Sequence, residues 1–415
     1  MLKKCFSAAL ILALALVVAL PGSARAASDQ QVQMLIQELK ALKARVAELE
    51  KKLNQAQNEA HIAKQAASEA RKTSSRSLKI SQELSKTKES RPQGILSQAG
   101  KRLSFHGAVE VEANWERTEK KNGKDTTNSD ITLATAELFV EATINRYTKG
   151  LLHFLWEQGD TEPVDIDEAF IVIGQTEKMP FYVMGGRIYP GFGQYESYFV
   201  SDPLTKEVFE TQASALETGY ACQWINFGVG AFNSEVAESS DGDDDIVNSF
   251  YAALQLQLPE GFVKGLDLHG GIAYINNVAA SNYLRDQVPG QSLNSLVGGV
   301  SAMLHLTYGM ATFTGEYITA LDEFKAGELS FSGGKKLQPS AYNLELAISP
   351  WDAWTFAVKY EGTQDLASEF PERQWGLVAS WQFLPDTTLS LEYLRGDFEN
   401  DDTRDLVTTQ LAVEF

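Results

Sequence analysis

Carboxylates at every second position are the most chemically suggestive feature of this chain. Glu110 and Glu112 share one phase of a run beginning at Phe105, Glu137 and Glu141 share one phase of the next, and Asp165 and Asp167 repeat the spacing. In an extended strand, alternate residues share a face. Each pair would therefore project one way, and a wall lined by such pairs attracts cations. No catalytic partner accompanies them. The chain has no G-x-S-x-G elbow, Walker A loop, HExxH or CxxC, and His61, His106, His153, His269 and His305 are scattered over separate segments. With no nucleophile beside a base, we expect no enzyme and no cofactor. We also expect no metal site. Asp241-Gly242-Asp243-Asp244-Asp245 lacks EF-hand spacing and reads as a solvated acidic loop.

A second cluster is aromatic. The 25 residues from Tyr189 to Ala213 carry Tyr189, Phe192, Tyr195, Tyr198, Phe199 and Phe209 together with Asp202, Glu207 and Glu210. A connection that meets only water has no use for so many rings. Either the segment folds into a lumen and packs on its wall, which is the reading we favour, or it caps neighbouring loops. The candidate constriction residues are Arg187, Tyr189, Phe192, Tyr195, Tyr198, Asp202, Glu207 and Glu210.

The elements that must position these groups are strands. Apolar and polar residues alternate from Phe105 to the end, in about sixteen runs centred on Val111, Leu138, Phe154, Phe170, Val183, Leu216, Val229, Leu254, Ile272, Val300, Phe313, Leu346, Phe356, Val378, Leu391 and Leu411. Many are longer than the usual strand of about 5–6 residues and suit a tilted membrane wall. Short links such as Thr307–Met310 and Leu384–Asp386 alternate with mostly longer, polar ones such as Ser234–Asp245 and Leu321–Pro339. Short inner turns, long outer loops and interfacial aromatics (Tyr147, Tyr308, Trp351, Trp354) make the outer-membrane barrel pattern. The last strand alternates to a terminal aromatic, Phe415. We expect an all-β transmembrane barrel of about sixteen antiparallel strands over residues 105–415, in the bacterial outer membrane and in contact with its lipid.

Ahead of the barrel, Lys3 and Lys4 precede an apolar run of 15 residues, Phe6–Leu20, and Ala24-Arg25-Ala26 offers a cleavage site, so residues 1–26 read as a signal peptide. From Val32 to Ala70 apolar residues recur at spacings of three and four. That heptad pattern predicts an α-helical coiled coil within 27–90, a periplasmic stalk through which the chain self-associates. Residues 91–104 are a linker, opened by Arg91-Pro92. The whole chain has 415 residues and a net charge of −19. Residues 105–415 hold 18 Lys+Arg and 47 Asp+Glu, a net of −29, which excludes a nucleic-acid partner and points to a cation-favouring pore.

Gly186-Arg187-Ile188-Tyr189-Pro190-Gly191-Phe192-Gly193, Ser201-Asp202-Pro203-Leu204-Thr205 and Glu210-Thr211 resemble the signature stretch of the LbtU-type siderophore porins, most closely over Ala169–Phe232. The resemblance implies passage of an iron–siderophore through a barrel that has an N-terminal coiled coil and no globular plug. We expect a porin-like channel for small solutes. The alternative is a structural envelope protein in which the coiled coil tethers a barrel anchor to the cell wall.

Overall fold

The computed structural model describes residues 102–159, 161–176, 179–239, 246–259 and 262–415. The segments expected as signal peptide and coiled coil, almost all of the expected linker and the acidic run Asp241–Asp245 lie outside these residues.

Sixteen antiparallel strands close into one barrel. They are β1 Leu103–Glu119, β2 Thr126–Asn145, β3 Thr148–Glu157, β4 Thr161–Thr176, β5 Met179–Ile188, β6 Ala213–Ala221, β7 Ile225–Phe232, β8 Ser249–Gln257, β9 Leu266–Ile275, β10 Gly299–Tyr308, β11 Ala311–Ala320, β12 Ser340–Trp351, β13 Trp354–Gln364, β14 Arg373–Leu384, β15 Thr387–Asp397 and β16 Thr403–Glu414. Every expected centre falls within its own strand. β1 starts two residues before the expected boundary because Leu103 and Ser104 still pair with Ala142 and Glu141 of β2. The seam pairs β1 with β16, and Gly107 and Phe415 exchange both backbone hydrogen bonds at 3.0 Å beyond the last ladder pair.

The alternation sorts residues cleanly. On β11, Thr312, Thr314 and Glu316 are buried inside, while Phe313 and Tyr317 face outward. On β12, Asn343 and Glu345 alternate with exposed Leu344 and Leu346, and on β15 Ser390 and Glu392 alternate with exposed Leu389 and Leu391. Large apolar side chains on an outer wall require a non-aqueous surround. Aromatics band that wall at both ends. Tyr308, Trp351, Trp381 and Phe383 are exposed toward the short turns, and Trp115, Tyr274, Tyr317 and Trp375 toward the long loops. Short turns use left-handed backbone, as at Gly309, φ 62°, between β10 and β11.

The long loops build their own core. Phe192 and Phe209, from the 189–212 connection, are buried with Val278 and Leu284 of the 276–298 connection and with Phe324 and Leu329 of the 321–339 connection. Two short helices belong to this layer, α1 Leu204–Phe209 and α2 Asn282–Gln287. Ser281 caps α2 by accepting a hydrogen bond from Leu284 N. Asn282 N in turn donates to Glu210 O, joining the two connections.

Candidate functional site

The 189–212 connection leaves β5 and crosses to the opposite wall before it returns to β6. Its ends sit in the loop core. Its middle is held by carboxylates on the inner face of strands far away in the barrel order. Gln194 N and Tyr195 N donate to Glu316 at 2.7 and 3.3 Å, and Thr205 Oγ1 adds a third bond at 2.8 Å. Tyr198 N and Ser197 Oγ donate to Glu345 at 2.8 and 2.7 Å. Val200 N and Ser201 N donate to Glu392 at 2.7 and 3.1 Å, and Leu204 N donates to Glu361 at 2.9 Å. Six backbone N–H groups that no ladder uses therefore end on four wall carboxylates, as buried donors must find acceptors. Gly193 makes the entry possible. Its φ is 95°, and a Cβ there would collide with the Tyr195 ring.

One buried cation balances the latch. Lys359 on β13 is 3% exposed, with Glu345 and Glu361 at 1% and 0%. Its Nζ lies 3.6 Å from each of those carboxylates, 3.4 Å from Ser201 O and 4.5 Å from the centre of the Phe199 ring. A charge taken from water needs such partners on several sides.

The near wall is left open. Between it and the returning connection lies a cavity of about 430 Å³, lined by Asp165, Asp167, Arg187, Tyr189, Asp202, Lys206, Glu207, Glu210 and Gln212 among others. A bulge at Asp167, where β4 loses register against β3, turns Asp165 and Asp167 inward together. Asp167 accepts from Tyr189 OH at 2.8 Å and from Gln212 Nε2 at 2.7 Å. His153 sits between Asp167 and Glu137, at 2.9 and 3.0 Å, and stacks on Phe139. Arg187 occupies the register of outward-facing Val183, but at the end of β5 its guanidinium reaches Gln212 and lies 3.8 Å from Asp165.

The connection itself carries carboxyls at the cavity that burial shifts. Burial pushes the Glu210 carboxyl up to about 7; Lys206 opposes the shift, and Asp202, Asp167 and Glu207 reinforce it. Burial also raises Glu207. Lys206 is driven down by burial, but Asp202 and Glu210 outweigh this and hold it above its ordinary value. Its Nζ is 2.8 Å from Asp202 and 4.0 Å from Glu210.

The expected site residues thus divide. Arg187, Tyr189, Asp202, Glu207, Glu210, Asp165 and Asp167 meet at one cavity. Phe192, Tyr195 and Tyr198 do not. Phe192 is buried in the loop core, Tyr195 OH donates to Phe192 O at 2.6 Å, and Tyr198 packs beside the Phe199 cluster. Glu110, Glu112, Glu137 and Glu141 lie on β1 and β2 and do not line that cavity, although His153 joins Glu137 to Asp167; Gln410 Nε2 is 3.3 and 3.0 Å from Glu110 and Glu112. The four latch carboxylates were not among the sequence candidates, although Glu345 and Glu392 carry the same alternating signal as Glu110. The histidines are less scattered than the sequence suggests. His106 and His153 flank Phe139, and His269 stacks on His305 with ring centres 4.4 Å apart.

No known family description matches the chain. Among curated proteins it resembles a UPF0422 protein of Legionella pneumophila, 24% identical over 320 residues, covering 70% of this chain and 58% of that one. A UPF0422 protein of Coxiella burnetii is 23% identical over 309 residues, covering 70% and 63%. The chain thus spans about three-fifths of the length of the curated relatives it matches. Among solved structures it resembles an anion-selective porin from Comamonas acidovorans (14% identity, TM-score 0.52, 75% of this chain and 99% of that one). It also resembles the outer membrane channel DcaP of Acinetobacter baumannii (12% identity, TM-score 0.50, 75% and 97%). At these identities the likeness is one of fold, and the fold is that of outer-membrane porins.

Proposed function

We propose that this protein is an outer-membrane channel for small solutes, narrowed by the 189–212 connection and selective for cationic or metal-bridged species. The carrying observation is the cavity beside the connection. Asp165, Asp167, Asp202, Glu207 and Glu210 line it against only Arg187 and Lys206. A passage lined in this way concentrates cations. A porin of the same fold, that of Comamonas acidovorans, is anion-selective, so the barrel alone does not fix the sign of selectivity; the side chains that line it do.

The siderophore reading rests on the resemblance of Gly186–Gly193 and Ser201–Thr205. Those residues do real positioning here: Gly193 admits the turn toward Glu316, and Leu204 N meets Glu361. An iron chelate suited to this lining is neutral, cationic or bridged to the carboxylates by metal. Self-association through residues 27–90 and a periplasmic stalk belong to the same proposal. The test is the reversal potential of the purified protein in planar bilayers under a salt gradient. A potential of cation-selective sign is expected, and an anion-selective sign would overturn the reading.

A further inference from the structure

On the short-turn side of the 189–212 connection, two histidines and a carboxylate converge. His269 of β9 and His305 of β10 are direct cross-strand partners, so both imidazoles project from one spot on the inner wall. Glu196, at the tip of the connection, reaches both. Its Oε1 is 3.0 Å from His269 Nε2 and its Oε2 is 2.7 Å from His305 Nδ1. One ligating atom from each residue falls in a cluster no more than 4.8 Å across.

The other nitrogen of His305 is also engaged: its Nε2 lies 3.1 Å from Thr307 Oγ1, itself 2.8 Å from Thr312 Oγ1, while His269 Nδ1 faces the Asp267 carboxylate at 3.9 Å, beyond direct hydrogen-bond reach. Metal-binding histidines are commonly oriented as His305 is, with the second nitrogen held by a polar group behind it. A cavity of about 290 Å³ borders Glu196, Asp267 and His269 and leaves room for water as a further ligand.

We propose that Glu196, His269 and His305 form a three-ligand site for a borderline divalent transition ion, with Zn²⁺ as the type. Two imidazoles and one carboxylate suit Zn²⁺, Cu²⁺ or Ni²⁺, whereas Mg²⁺ and Ca²⁺ take all-oxygen sets. The ion would replace the two Glu196–imidazole hydrogen bonds with bonds to itself and tie the tip of the connection to β9 and β10. The sequence suggested no metal site, because Glu196, His269 and His305 are far apart in the chain. The site stands on its own geometry and does not depend on the barrel conducting.

The experiment is isothermal titration of the full-length protein in detergent with Zn²⁺ and, separately, with Mg²⁺. One Zn²⁺ per chain is expected. His269→Gln with His305→Gln should weaken it at least about tenfold, while the double variant keeps the circular dichroism of the barrel. His153→Gln, in the second cluster where His153 meets Asp167 and Glu168, should leave Zn²⁺ affinity as it is. The proposal is overturned if Zn²⁺ does not bind, if Mg²⁺ binds equally well, if the folded double variant binds unchanged, or if His153→Gln is the change that removes binding.

Discussion

The two sides of the barrel interior carry the same residue type and use it in opposite ways. On β11, β12, β13 and β15 the inward carboxylates Glu316, Glu345, Glu361 and Glu392 are buried, and backbone N–H groups of the 189–212 connection occupy them. On β4, Asp165 and Asp167 border a cavity, with Glu207 and Glu210 facing them from the connection. One wall spends its acids on holding the middle of the loop; the other bonds Asp167 to Tyr189 and Gln212 at the loop's ends and leaves Asp165 open to the cavity. An inward carboxylate therefore does not by itself mark a solute path; what the loop covers decides its role.

The comparison breaks most visibly if the latch is removed. Glu345→Ala with Glu392→Ala should cost about 3–6 kcal/mol, at about 1.5–3 kcal/mol for each charge-assisted group. It should also free the connection and raise single-channel conductance. Stability is read from the temperature at which the barrel loses its compact gel mobility. Lys359→Met should cost about 3–5 kcal/mol by the same measure, because Glu345 and Glu361 are left buried without their cation.

The other wall should respond in the reverse sense. Asp165→Asn should change stability by less than about 1 kcal/mol, since its side chain is more than half exposed, yet reduce cation selectivity in the reversal potential. The smallest effect is that of pH. Glu210 has a carboxyl raised to about 7, so it is neutral below that pH and charged above it. Cation selectivity should rise as pH increases through about 7, and Glu210→Gln should flatten the step.

Much of the barrel was legible because its signal is local. Phe313 and Tyr317 point out and Glu316 points in by simple alternation, and the two-residue turn at Gly309-Met310 sets the register of β10 on β11 without further information. Longer connections set no register that counting can recover. The meeting of His269 with His305 depends on how the residues between Ile275 and Gly299 fold, and that of Glu316 with Gln194 spans 122 positions. Phe139 sits at a position of β2 where alternation calls for a polar residue, and it stacks between His106 and His153. The Asp167 bulge is likewise invisible to alternation: it keeps Asp165 and Asp167 on one face but puts Glu168 opposite His153, so the face they share is set by the slip and not by counting from the rest of β4. The aromatic content of the 189–212 connection did signal packing. It could not say that the rings would divide between a loop core holding Phe192 and Phe209 and a wall contact holding Phe199.

The central claim is that the connection crosses the lumen and leaves an acidic passage beside it. The most direct test replaces Gly193–Phe209 by a short Gly-Ser link and measures single-channel conductance and ion selectivity in the folded barrel. The account predicts a larger conductance that remains cation-selective. An unchanged conductance would contradict it.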